Sequence, residues 1–204
     1  MLKHTAQHGF TLIELSVALA IVGLMLVLGV PSMTSFFQNA KLGSASQTFL
    51  SGLQTARAEA IRRNQPVEFA LTTTTSAIAT DAAAAGAVVD ANGAGWVVRY
   101  LDADTAAYKL VEARPVGENA GGSTSAVRVQ GSAVAPAPAF TGVISFNGFG
   151  GTTTGYEYRL NLDNPTGGEC APTGPMRCLQ VRASPGGQIK VCDPIAVVGD
   201  SRAC

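Results

Sequence analysis

The chain has 204 residues and carries 14 Lys and Arg against 14 Asp and Glu, so its formal net charge is zero. That balance leaves no basic excess to make nucleic acid the main partner, and the length suits one anchor helix and one modest globular domain rather than two enzyme-sized lobes. With 23 glycines and loops filled by Ala, Thr and Ser, the composition suits short strands joined by long turns.

The first element is the most informative. From Phe10 to Val30 the only charged residue is Glu14, and Pro31 closes the run. At 1.5 Å per residue this is roughly 31 Å of helix, close to the hydrocarbon thickness of a bilayer. A carboxylate costs about 2.5–3.5 kcal/mol at the centre of a membrane and less near its edge, so it calls for a partner. Cleavage after Gly9 would supply one: Phe10 would become a new amino terminus, one helical turn from Glu14, free to pair with it in the same chain or a neighbouring one. Residues 1–9 are short and mildly basic (Lys3, with His4 and His8). A secretory signal loses its apolar region on cleavage, whereas here the apolar run follows the proposed cut and is kept. Lys3 places this end in the cytoplasm by the positive-inside tendency, and the domain outside.

Gly9 followed by Phe10-Thr11-Leu12-Ile13-Glu14-Leu15 resembles the class III leader and mature start of type IV pilins and type II secretion pseudopilins. The resemblance implies a prepilin peptidase that cuts after Gly9 and methylates Phe10. It also implies that Glu14 guides subunit assembly and that Pro31 is the helix-bending proline. Gly23, Gly29 and Pro31 each weaken helix locally, and a kink is expected there.

Beyond Pro31 the pattern turns amphipathic. Leu42, Ala45, Phe49, Leu53, Ala56 and Ala60 fall on one helical face, with Lys41, Gln47, Gln54 and Arg62 off it. The helix should end near Arg63 or Asn64, because Gln65 precedes Pro66 and so favours extended structure. Ala56-Arg57-Ala58-Glu59-Ala60-Ile61 is similar to the end of the long helix in the GspH/FimT (FimU-like) branch. Arg57, Glu59, Arg62 and Arg63 read as a solvated helix end, with the cations favourable to the dipole, in preference to a binding patch.

After Pro66 the chain reads as about eight short strands: 67–71, 96–101, 108–113, 126–130, 143–147, 156–162, 178–183 and 188–192. Thr72 to Gly95 reads as a loop or weak hairpin, and Gly121 to Ser123 and Ser132 to Pro138 as loops. The Gly95-Trp96-Val97-Val98 strand and Ile144-Ser145-Phe146-Asn147 with Gly150 are similar to the GspH/FimT domain, whose two small sheets pack on the long helix. The expected fold is therefore α+β and pilin-like: a leader (1–9), a membrane-spanning and assembly helix (10–31), its amphipathic continuation (32–65) and a periplasmic antiparallel β domain (66–204).

Cys170, Cys178, Cys192 and Cys204 allow three pairings that sequence cannot separate. Cys170–Cys178 and Cys192–Cys204 are the expected pairs because each closes a short loop containing Pro. The absence of C-x-x-C argues against a zinc or thioredoxin site, and an even count beyond a membrane segment fits an oxidising periplasm.

Both histidines lie in the leader, so a processed chain would lack the usual partner for a Ser or Cys nucleophile and the commonest metal ligand. Gly148, Gly150 and Gly151 form no phosphate loop, and Asp102 and Asp104 read as turn residues rather than a calcium site. No enzyme, cofactor or metal is expected. The expected role is a minor pilin or pseudopilin that helps initiate or cap a type IV pilus or type II secretion pseudopilus. Its partners would be the prepilin peptidase, other minor subunits, the major pilin and the inner membrane. The Cys-rich tail looks more like the minor pilins than secretion-type GspH. The alternative is DNA uptake: some FimT-like subunits use Gly-Arg-x-Arg, but the matching place here is Gly187-Gln188-Ile189-Lys190. Lys190 is then the one cation of that motif, so its counterion-release term is small; Arg177, Arg182 and Arg202 are the cations that could add to a patch.

Replacing Gly9 by Ala or a bulkier residue is expected to block leader removal. Intact mass of the membrane-extracted protein checks this, and normal mature mass in the variant would contradict it.

Overall fold

The computed structural model describes residues 10–117, 127–164, 166–197 and 199–204, and for residues 26–32 only the helical backbone. Helix α1 runs without interruption over Leu12–Arg63. Thr11 caps its start: extended itself, it accepts the Glu14 N–H on Oγ1 at 3.3 Å, satisfying one of the orphan donors of the first turn. The other end closes at Asn64, which takes the left-handed conformation (φ 51°). There Asn64 N–H bonds Ile61 O and Gln65 N–H bonds Ala60 O, both at 3.3 Å. This is the double closure of a Schellman motif, and Pro66 just beyond it cannot continue the helix.

Every residue of the expected stripe, Leu42 through Ala60, is fully buried. It packs on two four-stranded antiparallel sheets. The first has the order β3-β2-β1-β5, with β1 Val67–Thr72, β2 Gly95–Leu101, β3 Tyr108–Arg114 and β5 Val143–Phe146. The second has the order β4-β6-β7-β8, with β4 Arg128–Ala133, β6 Tyr158–Asp163, β7 Leu179–Ala183 and β8 Ile189–Cys192. The register pairs Phe69 with Val98 and Leu71 with Trp96, so one face of the first sheet turns large apolar side chains to the helix. Phe49 meets Phe69 edge-on at 6.4 Å, and Phe69 meets Trp96 at 5.6 Å. From the second sheet Leu160, Leu162, Val181 and Ala183 complete the same core. Each fully buried large side chain contributes roughly 1.5–3 kcal/mol.

The segment read as a loop between β1 and β2 has more structure than expected. It holds a five-residue helix, α2 (Asp81–Ala85), capped by the Thr80 hydroxyl, and a bridge between Thr72 and Val89. Ile78, Ala84 and Ala87 from this segment bury Ala70 and Val97 on the outer face of the first sheet. A helix this short carries no 3.6-residue period to detect and is stable only when packed. Arg99 is nearly buried there but fully engaged: it donates to Glu68 (3.2 Å) and to Ala84 O at the end of α2 (2.8 Å), and stacks on Tyr108 at 4.0 Å. Gly121 to Ser123 and Ala126 lie outside the described residues.

Two helical glycines test this packing. A Cβ on Gly52 would meet Phe69 at 2.8 Å and Trp96 at 3.0 Å, whereas one on Gly43 meets nothing within 4 Å. Gly52→Ala is expected to destabilise by about 1–3 kcal/mol through overpacking, and Gly43→Ala to stabilise by about 0.5–1 kcal/mol through helix propensity. Denaturant titration of the two variants, with changes of opposite sign, is the check.

Candidate functional site

α1 divides into two halves that differ in what covers them. From Leu42 onward one face lies in the domain core. Before that, among the described side chains, the large apolar ones lie open: Phe10 and Leu12 are 86% and 87% exposed. Ile13, Leu15, Val17, Leu19, Ile21, Val22, Leu24 and Met25 are exposed too, as are Met33, Phe36 and Phe37. A continuous apolar rod of this length needs cover from outside its own fold. Glu14 sits in its first turn, and among the described residues nothing pairs with its carboxylate. Among the described residues no helix is long and apolar enough to cross a membrane; the side chains of residues 26–32, Pro31 included, lie outside them. Gly9 and the rest of the leader also lie outside the described residues.

The charges at the far end of α1 act as braces. Arg57 Nε donates to Gly150 O at 2.9 Å. Glu59 is held by Arg62 at 2.6 Å and by Arg63 at 2.8 Å, and Arg63 stacks over the Tyr100 ring at 3.9 Å. The hydrogen bond from Arg62 is the main reason that the Glu59 carboxyl titrates below its ordinary range. The turn after β5 wraps this end of the helix. Asn147 Oδ1 accepts the N–H groups of Phe149 (3.0 Å) and Gly151 (3.2 Å), while Gly150 adopts φ +82°, a conformation that glycine reaches without strain. Gly148, Gly150 and Gly151 are thus turn residues. So are Asp102 and Asp104: Asp102 Oδ1 accepts from Thr105 N (2.9 Å) and Asp104 N (3.1 Å), and the first of these bonds lowers the Asp102 pKa most. Among the described residues no His, Cys, Asp and Glu cluster could hold a metal ion.

The four cysteines form Cys170–Cys178 and Cys192–Cys204. The second disulfide folds the tail against β8, and this decides the surroundings of Lys190. Lys190 Nζ donates to Ala203 O at 3.3 Å. Its cross-strand neighbour Arg182 donates to Glu157 Oε1 (3.0 Å through Nε) and to Cys204 O. Glu157, Arg182, Ser184, Gln188, Lys190 and Cys204 line a small open pocket of about 230 Å³. Arg177 pairs with Asp193 and Arg202 with Asp200, the latter lowering Asp200 to about 2. The cations nearest Lys190 are therefore matched by acids or carbonyls, which is not a phosphate-binding track. Sequence reasoning missed three polar residues, Gln38, Asn39 and Asn164, which join the helix to the loop before β7. Amides on a helix face carry no pattern by which they could be found.

A long helix, open along its first half and packed by its second on two small antiparallel sheets, is the arrangement of a pilin-like filament subunit. The chain belongs to the GspH family: residues 45–193 match Type II transport protein GspH, and residues 4–30 match the Prokaryotic N-terminal methylation motif. GspH-family proteins are minor pilins and pseudopilins, structural subunits of pili and secretion filaments. Among solved structures the fold is similar to the type IV minor pilin FimU of Pseudomonas aeruginosa (strain PAO1). That match has 15% identity and a TM-score of 0.50, and covers 76% of this chain and 91% of that one. The chain is also similar to the minor pseudopilin EpsH from the Type 2 Secretion System of Vibrio cholerae, with 14% identity, a TM-score of 0.44, and 74% and 95% coverage. No curated protein matches the chain in sequence.

Because the folded-state pKa of Glu59 is lowered, its stabilising effect is full above the ordinary carboxylate value of 4.5 and is lost as pH falls through the folded value. Glu59→Gln is expected to lower the thermal midpoint at pH 7, and the gap from wild type should close below about pH 4. Melting curves across pH 3–7 measure this.

Proposed function

We propose that this chain is a minor subunit that enters a pilus or pseudopilus helix-first and helps to initiate or cap the filament. The observation that carries the reading is the apolar half of α1, which is continuous with a tightly packed helix yet uncovered by its own chain. In a bundle of similar helices that surface stays out of water once the subunit leaves the lipid, with helix–helix packing in place of its lipid contacts. Before assembly the same stretch, residues 10–31, is held in the inner membrane, with the amino terminus cytoplasmic and the domain periplasmic. A prepilin peptidase removes residues 1–9 after Gly9 and methylates Phe10. The new amine and Glu14 then neutralise each other, within one chain or between neighbours, so the acid is not left alone among apolar helices. The protein is not an enzyme in this reading: its work is packing, and its partners are other minor subunits and the major pilin.

Glu14→Ala separates assembly from folding. The variant domain is expected to keep wild-type circular dichroism and protease resistance, while recovery with its partner subunits in sheared filaments or cross-linked complexes falls about tenfold or more. Wild-type incorporation would count against the charge pair.

A further inference from the structure

α1 leaves the domain at a definite place. Phe36 and Phe37 are exposed, and Leu42 is fully buried. Between them stand Gln38 and Asn39, and both are gripped by the segment that precedes β7. Asn39 Nδ2 donates to Pro175 O (3.3 Å), and Asn39 Oδ1 accepts the Arg177 N–H (2.7 Å). One carboxamide thus pairs with a carbonyl and an amide on either side of Met176, as a neighbouring strand would. Met176 itself is fully buried in the main core. Asn164, only 1% exposed, donates to Gln38 Oε1. Its own Oδ1 accepts from Thr166 N and Oγ1 and from Gly167 N, so its amide is held rigid. Gly167 is pressed between these elements: a Cβ there would lie 2.7 Å from Met176 Sδ and 3.4 Å from Gln38 Cβ.

The gripping segment is itself a closed ring. Cys170–Cys178 ties its ends; inside it Ala171 N–H bonds Met176 O (2.8 Å), and Met176 N–H reaches back to Glu169 O just before it (3.2 Å). Cys178 directly precedes β7, so the ring is anchored to the second sheet. We propose that the Cys170–Cys178 loop, through Pro175 and Arg177, together with Asn164 at the end of β6, is a clamp on Gln38 and Asn39 that fixes where α1 leaves the domain and at what rotation. The clamp carries the rigidity of the sheet across to the helix. It therefore sets which side the open residues Met33, Phe36 and Phe37 present. Cys192–Cys204 closes a different loop, which meets the clamp through the Arg177–Asp193 ion pair but holds none of the groups that bond α1. The inference concerns the single subunit and goes beyond the filament reading.

Hydrogen exchange read by mass spectrometry on the full-length protein in detergent micelles tests it. Two variants break the clamp in different ways: Cys170→Ser with Cys178→Ser opens the ring, and Asn39→Ala removes the grip with both disulfides intact. In both, peptides over residues 36–46 and 166–177 are expected to lose protection about tenfold or more, as loss of several hydrogen bonds implies, while β1 and β2 stay within about twofold. Cys192→Ser with Cys204→Ser should leave 36–46 unchanged. Unchanged protection at 36–46 in Asn39→Ala overturns the proposal, and so does equal loss in the Cys192/Cys204 variant. Should the Cys170/Cys178 variant lose protection in β1 and β2 as well, it has unfolded and Asn39→Ala decides alone. Exchange in the isolated subunit is independent of co-assembly, so failure here leaves the filament reading standing.

Discussion

Backbone hydrogen bonding keeps α1 continuous from Leu12 to Arg63, although its two halves lie in different surroundings. An α-helix satisfies its own amides and carbonyls, so it can extend past the edge of a domain with no backbone cost. Its side chains have no such independence. Beyond Leu42 one face is buried against two sheets, and among the described side chains before Phe37 the apolar ones are open. Much of the remaining structure serves to hold this rod: a core built on Phe49, Phe69 and Trp96, a cap at Asn64, and a turn from Asn147 to Gly151 that braces Arg57.

The domain is small, and its second sheet carries two short disulfide loops, one before β7 and one after β8. A modest core gains little stability per residue, and covalent closure restricts the unfolded chain in its place. The two disulfides do different local work. Cys192–Cys204 lays the tail along β8, where Lys190 and Arg182 hold it. Cys170–Cys178 shapes the loop that meets the helix at Asn39. Polar side chains across this molecule are mostly spent in the same way, on caps, turns and ion pairs within the fold. Buried Arg99 is typical, with Glu68, Ala84 O and the Tyr108 ring around it. Such arrangements stabilise the fold and its surface. They agree with a family whose members are filament components.

The helix and its packed face were plain in the residues themselves. Burial of a helix selects apolar side chains at intervals of three and four, and the six positions from Leu42 to Ala60 show this directly. Strands 1, 2, 3 and 5 to 8 begin within two residues of where alternation and turn residues place them, since those signals are local too. The family was legible for the same reason: Gly9 to Leu15 is a contiguous stretch.

What only the tertiary structure decided depends on residues far apart in the chain. No local pattern tells that β1 lies between β2 and β5, because an antiparallel strand presents the same alternation to any partner. α2 forms because Ala84 and Ile78 find Ala70 and Val97 to cover, a contact with no period in sequence. Asn39 bonds Pro175 and Arg177 across more than a hundred residues, and Arg182 meets Glu157 because β7 pairs with the strand that follows it. Sequence determines how each segment is shaped and which side is apolar; the fold determines which polar groups are brought within hydrogen-bond reach, because that reach is about 3 Å and chain separation does not limit it.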